Sequence, residues 1–239
     1  MSVASCLRGF DSRLVEIETH TFYGPALGPD SVIADLGAST ASFSQAIVSR
    51  FGSRCFAAEP LPDNLKLIQP RPRITVLPVA LSGVDGRISL GVRGGGMHNS
   101  ASFGRYDSLP EQDSIEVDSV TLEGFQRLAG VPRFDLVKVD IEGAEFGFFN
   151  AARDETLRQI GQLTVEFHDF LDPNLTPAVE PIIARLERLG FAALRFTRHY
   201  HGDMLFVNRR LVEVSDLDLL WFRHAVRGLR GAGRMIERL

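Results

Sequence analysis

A chain of 239 residues with 44% apolar and 23% charged side chains is long enough for a full core, as one α/β domain or two small ones. Its formal net charge of −4 gives no reason to expect general nucleic-acid binding, and no stretch approaches the roughly 20 apolar residues of a membrane span. Two cysteines without metal-type spacing, Cys6 and Cys55, and an N-terminus lacking the apolar run of a signal peptide predict a reduced, cytoplasmic setting.

Residues 1–30 are mixed and end in YGPALGPD, whose Gly-Pro and Pro-Asp pairs mark a loop. From there strands and helices alternate. SVIADL is a compact β-branched strand, and residues 40–50 have helical spacing, with Phe43, Ile47 and Phe51 on one side. RCFAAEP reads as a second strand ending in Glu59-Pro60, with Cys55 a small apolar filler, and PDNLKLIQ as a short helix opened by Pro62 and Asp63. RITVLPVALS predicts a third strand, with GRISLGV as its antiparallel partner after the Val84-Asp85-Gly86 turn. A polar loop, RGGGMHNSASFGRYDSLPEQD, precedes the strand SIEVDSV and the helix TLEGFQRLAG. FDLVKVDIEGAEFGFFNAA then gives strand, turn and helix, QLTVEFHDF another strand, and TPAVEPIIARLERLG a helix ended by Gly190. FAALRFTRH and GDMLFVNR form a closing pair, joined by too few residues for a crossover helix.

This alternation implies an α/β fold with a doubly wound, mostly parallel sheet and an antiparallel final strand at a mixed edge. With no internal repeat and no low-complexity linker, the expectation is one domain, its core about residues 30–209. Residues 1–29 form an N-terminal extension and 215–239 a basic amphipathic C-terminal helix.

In such a sheet the ligand lies beyond the carboxyl ends of the strands, near the topological switch point. Asp35 and Gly37 end the first strand; Glu59 ends the second, about twenty residues on, where an acid accepts the hydroxyls of a ribose. A dinucleotide brings a pyrophosphate against the turn and needs several glycines there. DLGAST has one, with Ser39 and Ala41 in the other small-residue places. The pocket therefore reads as one for S-adenosylmethionine, which has no phosphate. A tight strand-helix junction without a ligand is the bland alternative.

A second constellation lies further on. Lys138 and Asp140 are two apart on one strand face, Glu142 and Gly143 form the turn after it, and Glu166 and His168 repeat the spacing at the next strand end. If the strands are parallel neighbours, these ionisable groups share the rim of the cofactor turn, and burying so many charges without purpose is costly. Each has a plain alternative: a Lys138–Asp140 ion pair, a helix-capping Glu142, a His168 satisfied by a neighbouring carboxylate. The cluster also admits a divalent metal, but no ligand spacing is diagnostic and none is expected.

VIADLGASTASFS, AAEPLPDNLKLI, VDSVTLEGF, FDLVKVDIEGAEFGFFNAA and HGDMLFVNR resemble, in that order, the FkbM family of S-adenosylmethionine-dependent methyltransferases. The likeness covers about residues 30–209 and is most specific at KVDIEGAE. It implies a class I methyltransferase, Rossmann-like fold, a seven-stranded sheet with its last strand antiparallel, and O-methylation of a hydroxyl on a sugar or natural product. By position Asp35, Gly37 and Glu59 match the cofactor motifs, and Asp140 and Glu142 the strand-turn acids. Ala41 departs, standing where a glycine is common. The candidate cofactor contacts are Asp35, Gly37, Ala38, Ser39, Glu59, Pro60, Ala80, Leu81, Asp140 and Glu142.

The candidate catalytic residues are His168, Asp140, Glu166 and Lys138. His168 is the expected base, oriented by Glu166 or Asp140, with Asp140 as its rival. The polar loop reads either as a substrate lid, with His98 and Asn99 facing a hydroxylated small-molecule or glycan acceptor, or as a plain surface connection. At the C-terminus Leu219, Phe222, Val226, Leu229 and Ile236 follow helical spacing beside a stripe of Arg223, Arg227, Arg230, Arg234 and Arg238. This helix packs on its own domain or on a second subunit of a homodimer, or else rests peripherally on the inner membrane face. The rivals to an enzyme are a non-catalytic module of the same fold and an NAD-dependent oxidoreductase, which the single turn glycine disfavours.

Overall fold

The computed structural model describes residues 12–93, 100–102, 114–170, 174–197 and 200–226. It opens with a hairpin, β1 (Leu14–Ile17) and β2 (His20–Tyr23), turned at Glu18 and Thr19. The first crossover runs from β3 (Val32–Leu36) through α1 (Ser42–Phe51) to β4 (Arg54–Ala58). The short α2 (Pro62–Leu67) leads to β5 (Ile74–Leu77). Next come β6 (Ala80–Leu81), β7 (Gly86–Arg93), β8 (Ser100–Ser102) and β9 (Ser114–Val120), then α3 (Leu122–Ala129), which starts on a Thr121 cap and stops at left-handed Gly130. β10 (Leu136–Val139), α4 (Glu145–Ala151), α5 (Asp154–Leu157), β11 (Gln162–Val165) and α6 (Thr176–Leu189) continue the alternation, α6 ending at Gly190 as its C-cap. The chain closes with β12 (Phe191–Arg195), β13 (Met204–Asn208), α7 (Asp216–Trp221) and a π-helical turn, Phe222–Val226.

Seven of these strands form one sheet in the order β12-β13-β11-β10-β3-β4-β5. Its pairs are parallel from β11 to β5, and β13 runs antiparallel to both neighbours. This is the doubly wound α/β sheet, with an antiparallel last strand, of the class I methyltransferase type. Two sequence expectations need correction. β13 is not the edge; it inserts between β11 and β12. β7 does not pair with the third strand: RITVLPVALS divides at Pro78 into β5 of the large sheet and β6 of a small one, where β7 pairs with β9.

β3, β10 and β11 are buried at every position, as central strands covered on both faces must be. On one face Phe125, Phe134, Phe148, Phe149, Phe167 and Leu186 fill the core. On the other Phe22, Phe43, Ile47, Phe196 and Phe222 do. The hairpin belongs to this second layer and is fixed by polar contacts. Gln162 exchanges hydrogen bonds with the Tyr23 backbone, and Asp203 accepts from the Thr21 N–H and hydroxyl.

Leu219 and Phe222 are buried in the same layer, Phe222 beside Tyr23 and under the Arg13 guanidinium, and Arg13 pairs with Asp218. Residues 227–239, with the rest of the arginine stripe, lie outside the described residues. Among the described residues no helix is long and apolar enough to cross a membrane.

Candidate active site

The chain direction across the sheet reverses between β3 and β10, so their carboxyl ends define the switch point. Asp35 and Lys138 are cross-strand partners there. The Lys138 ammonium lies 3.2 Å from Asp35 Oδ1 and 3.3 Å from Asp140 Oδ2, and donates to the Gly37 carbonyl at 2.7 Å. Burial alone would lower its pKa, but the two carboxylates outweigh burial and hold it above the ordinary lysine value. Asp35 is 0% exposed and accepts from the Ser44 hydroxyl at 2.6 Å. Asp35 and Lys138 therefore anchor the turn from beneath; neither is displayed to a ligand.

The single glycine of the turn has a local cause. Gly37 has φ +80°, and a Cβ there would come 1.8 Å from the Asp140 carbonyl oxygen. Ser39 (φ 50°) and Ala41 (φ 59°) are also left-handed, a conformation costly for residues with a Cβ. That explains why glycine suits the Ala41 position, although the methyl is buried against Ala38 and Ala57.

Glu59 reaches back to this turn. Its Oε2 accepts from the Ser39 N–H at 2.8 Å, and its Oε1 from the Leu61 N–H at 2.9 Å and the Asn64 amide at 3.2 Å. Burial raises its pKa, against the pull of these hydrogen bonds. Ala38 is buried beside the turn and Pro60 is half-buried after Glu59. Ala80 and Leu81 pair with Ser119 and Val120 and are buried, Ala80 in the small sheet and Leu81 in the main core.

The second constellation assembles as its spacing predicts. β10 and β11 are parallel neighbours, and Asp140, Glu142, Glu166 and His168 meet beyond their carboxyl ends. The partner that orients His168 is not among those expected. Its Nδ1 lies 2.9 Å from Glu145 Oε1, an oxygen that also accepts the N–H groups of Ile141 and Gly143. Nε2 faces Asp140 Oδ1 at 3.7 Å and Glu142 Oε2 at 3.5 Å. Burial opposes the imidazolium, but Glu145, then Asp140 and Glu142, push its pKa up to about 9. Glu166 is pushed up to about 7 by burial and the Asp140 charge. Burial also works to raise Asp140, but Lys138 and His20 hold it below the usual carboxylate range. Glu142 sits in the turn with φ 54°, its side chain 43% exposed.

Sequence reasoning missed four contributors. Glu145 stands in the first turn of α4 and carries no motif signal of its own. His20 arrives from the hairpin, buried, with Nε2 3.5 Å from Asp140 Oδ2, and burial lowers its pKa. Phe170 and Tyr200, 45% and 40% exposed, pack as tilted rings beside the cluster, with ring centroids 5.4 Å from His168 to Phe170 and 5.2 Å from Phe170 to Tyr200. His98 and Asn99 lie outside the described residues, and Ser100–Ser102 is described as the short strand β8. A cavity of about 380 Å³ lined by Tyr23, Arg133, Asp135, Gln159 and Glu213 opens at the opposite, amino end of β10 and β11.

Among solved structures the chain is similar to a methyltransferase FkbM from Methylobacillus flagellatus KT, with 16% identity and a TM-score of 0.49 over 76% of this chain and 44% of that one. It is also similar to a precorrin-6y C5,15-methyltransferase from Geobacter metallireducens GS-15, with 17% identity over 76% and 80% of the two chains and a TM-score of 0.40. A third is Aeropyrum pernix fibrillarin in complex with natively bound S-adenosyl-L-methionine, with 12% identity over 85% and 71% and a TM-score of 0.40. The chain thus spans less than half the length of the FkbM structure. No curated protein matches it. The family model of the methyltransferase FkbM domain matches residues 32–193, from the strand before the cofactor turn through the acid–histidine cluster, and the chain belongs to that S-adenosylmethionine-using methyltransferase family.

Proposed function

We propose that this protein transfers the methyl group of S-adenosylmethionine to a hydroxyl of a sugar or natural-product acceptor. The observation that carries this reading is the shared rim: the Gly37 turn packs directly on the Asp140 carbonyl, so a cofactor in the turn lies next to the acid–histidine cluster. Glu59 is the ribose acceptor. Its backbone and Asn64 contacts aim it at the turn and occupy three of about four acceptor sites, leaving one on Oε2.

The sulfonium already activates the methyl group, so alignment of the nucleophile is the protein's main task, worth roughly 7–11 kcal/mol. The hydroxyl must also shed a proton, and a positioned group that draws it off adds about 10²–10⁴-fold. His168 and Asp140 are that group in this reading, the histidine acting in the neutral form it gains as pH rises toward about 9, with Glu145 fixing the ring. Phe170 and Tyr200 suit an acceptor with an apolar ring face, such as a sugar.

Transfer of labelled methyl from S-adenosylmethionine to a panel of hydroxylated glycans and natural products tests this. The wild-type chain should label at least one class on oxygen, and His168→Ala should lower turnover about 10²–10⁴-fold while retaining cofactor affinity. Near-normal turnover by His168→Ala, or label on nitrogen alone, rules the reading out.

A further inference from the structure

His168 is held firmly from one side only. Glu145 is fully buried, and its Oε1 takes two backbone N–H groups besides His168 Nδ1. A carboxylate so engaged is an acceptor, so Nδ1 carries the proton and Nε2 is the free end of the ring. The His168 side chain is 5% exposed, and among the described residues its Nε2 has no hydrogen bond. Instead Glu142 Oε2 and Asp140 Oδ1 face it at 3.5 Å and 3.7 Å.

Those spacings exceed the N–H···O range of about 2.7–3.2 Å. They lie close to the edges of a coordination shell: ligands about 2.0–2.2 Å from a tetrahedral ion are about 3.3–3.6 Å apart. The ligand atoms of Asp140, Glu142 and His168 all lie within 4.8 Å of one another. Asp140 Oδ2 is turned to Lys138 and His20, which leaves Oδ1 toward the ring.

We propose that Asp140, Glu142 and His168 form a site for one divalent metal ion of the Zn²⁺ or Mn²⁺ class. One imidazole and two carboxylates suit ions of borderline hardness. A carboxylate behind the ligating histidine is the outer-shell partner that fixes the tautomer and raises ligand basicity. Three protein ligands leave a position for water or for the acceptor's hydroxyl oxygen, whose proton a cation would loosen. That role in the reaction rests on the methyl-transfer reading; binding of the ion does not.

The test uses the full chain, freed of metal by chelation and without S-adenosylmethionine. Calorimetry with ZnCl₂ and with MnCl₂ should show saturable one-to-one binding, and the Co²⁺ form should give a visible band of low-coordinate nitrogen and oxygen ligation. Glu142→Ala, on an exposed turn where folding is least at risk, and His168→Ala should each weaken binding at least about tenfold. Glu145→Gln, acting through the ring, should weaken it about 10–100-fold. Absence of binding by the wild-type chain, or affinity unchanged in Glu142→Ala, overturns the site and leaves a proton on Nε2 to balance the carboxylates. Metal binding without any methyl transfer would count against the proposed function and leave the metal site standing.

Discussion

The two halves of the rim are built on opposite principles. On the β3 side the charged groups are tied into the protein: Asp35 is bound by Lys138 and Ser44, Lys138 by two carboxylates and a carbonyl, and Glu59 by two backbone amides and Asn64 with one acceptor position left on Oε2. On the β10–β11 side His168 is hydrogen-bonded through Nδ1 to Glu145, while its Nε2 faces Asp140 and Glu142 at 3.5–3.7 Å, and Glu142 is held in a left-handed backbone conformation. The first half spends its polar chemistry on a fixed shape. The second leaves His168 Nε2 without a hydrogen bond among the described residues and Glu142 partly open to solvent, which is where reactive groups belong.

Mutations should divide along this line. Lys138→Met strands a fully buried Asp35 and should destabilise the fold by about 3–5 kcal/mol by denaturant titration. Adding Asp35→Leu should return most of that loss, since an apolar pair is tolerated where a lone charge is not. A loss under about 1 kcal/mol would mean that the β3 side is not the anchored half.

Phe170→Ala touches only the open side. It should raise the acceptor KM about tenfold, roughly 1.4 kcal/mol, leave cofactor affinity unchanged, and shift the melting temperature little. Glu142→Gly should reverse the usual sign. Relief of its φ of 54° should stabilise the chain by about 1 kcal/mol, a rise of about 2–4 °C, while turnover falls. Ala41→Gly is the smallest effect. The strain relieved at φ 59° and the buried methyl lost nearly cancel, so stability should move by less than about 1 kcal/mol.

Much of this was legible from pattern. The β3 and β10 strands are short apolar runs closed by an acid and a glycine, and parallel pairing follows from the helices between them, so the cluster of Asp140, Glu142, Glu166 and His168 could be assembled from spacing alone. What escaped lacks a local signal. The β1–β2 hairpin turns at Glu18 and Thr19, both at positive φ without the usual glycine or asparagine, so neither the hairpin nor its His20 was announced. β7 finds β9 across about twenty residues of intervening sequence, a pairing that nearby residues do not encode. Glu145 acquires its role only when β11 brings His168 over the start of α4. Gly37 is also required by the close approach of the Asp140 carbonyl, which the local sequence does not announce.

The central claim is that the Gly37 turn and Glu59 hold an adenosyl group. Calorimetric titration of the full chain with S-adenosylhomocysteine tests it most directly. One-to-one binding is predicted, weakened by about 10-fold or more in Glu59→Gln as a charged acceptor is lost, with no heat from NAD under the same conditions. Absence of binding by the wild-type chain, or equal affinity in Glu59→Gln, would contradict it.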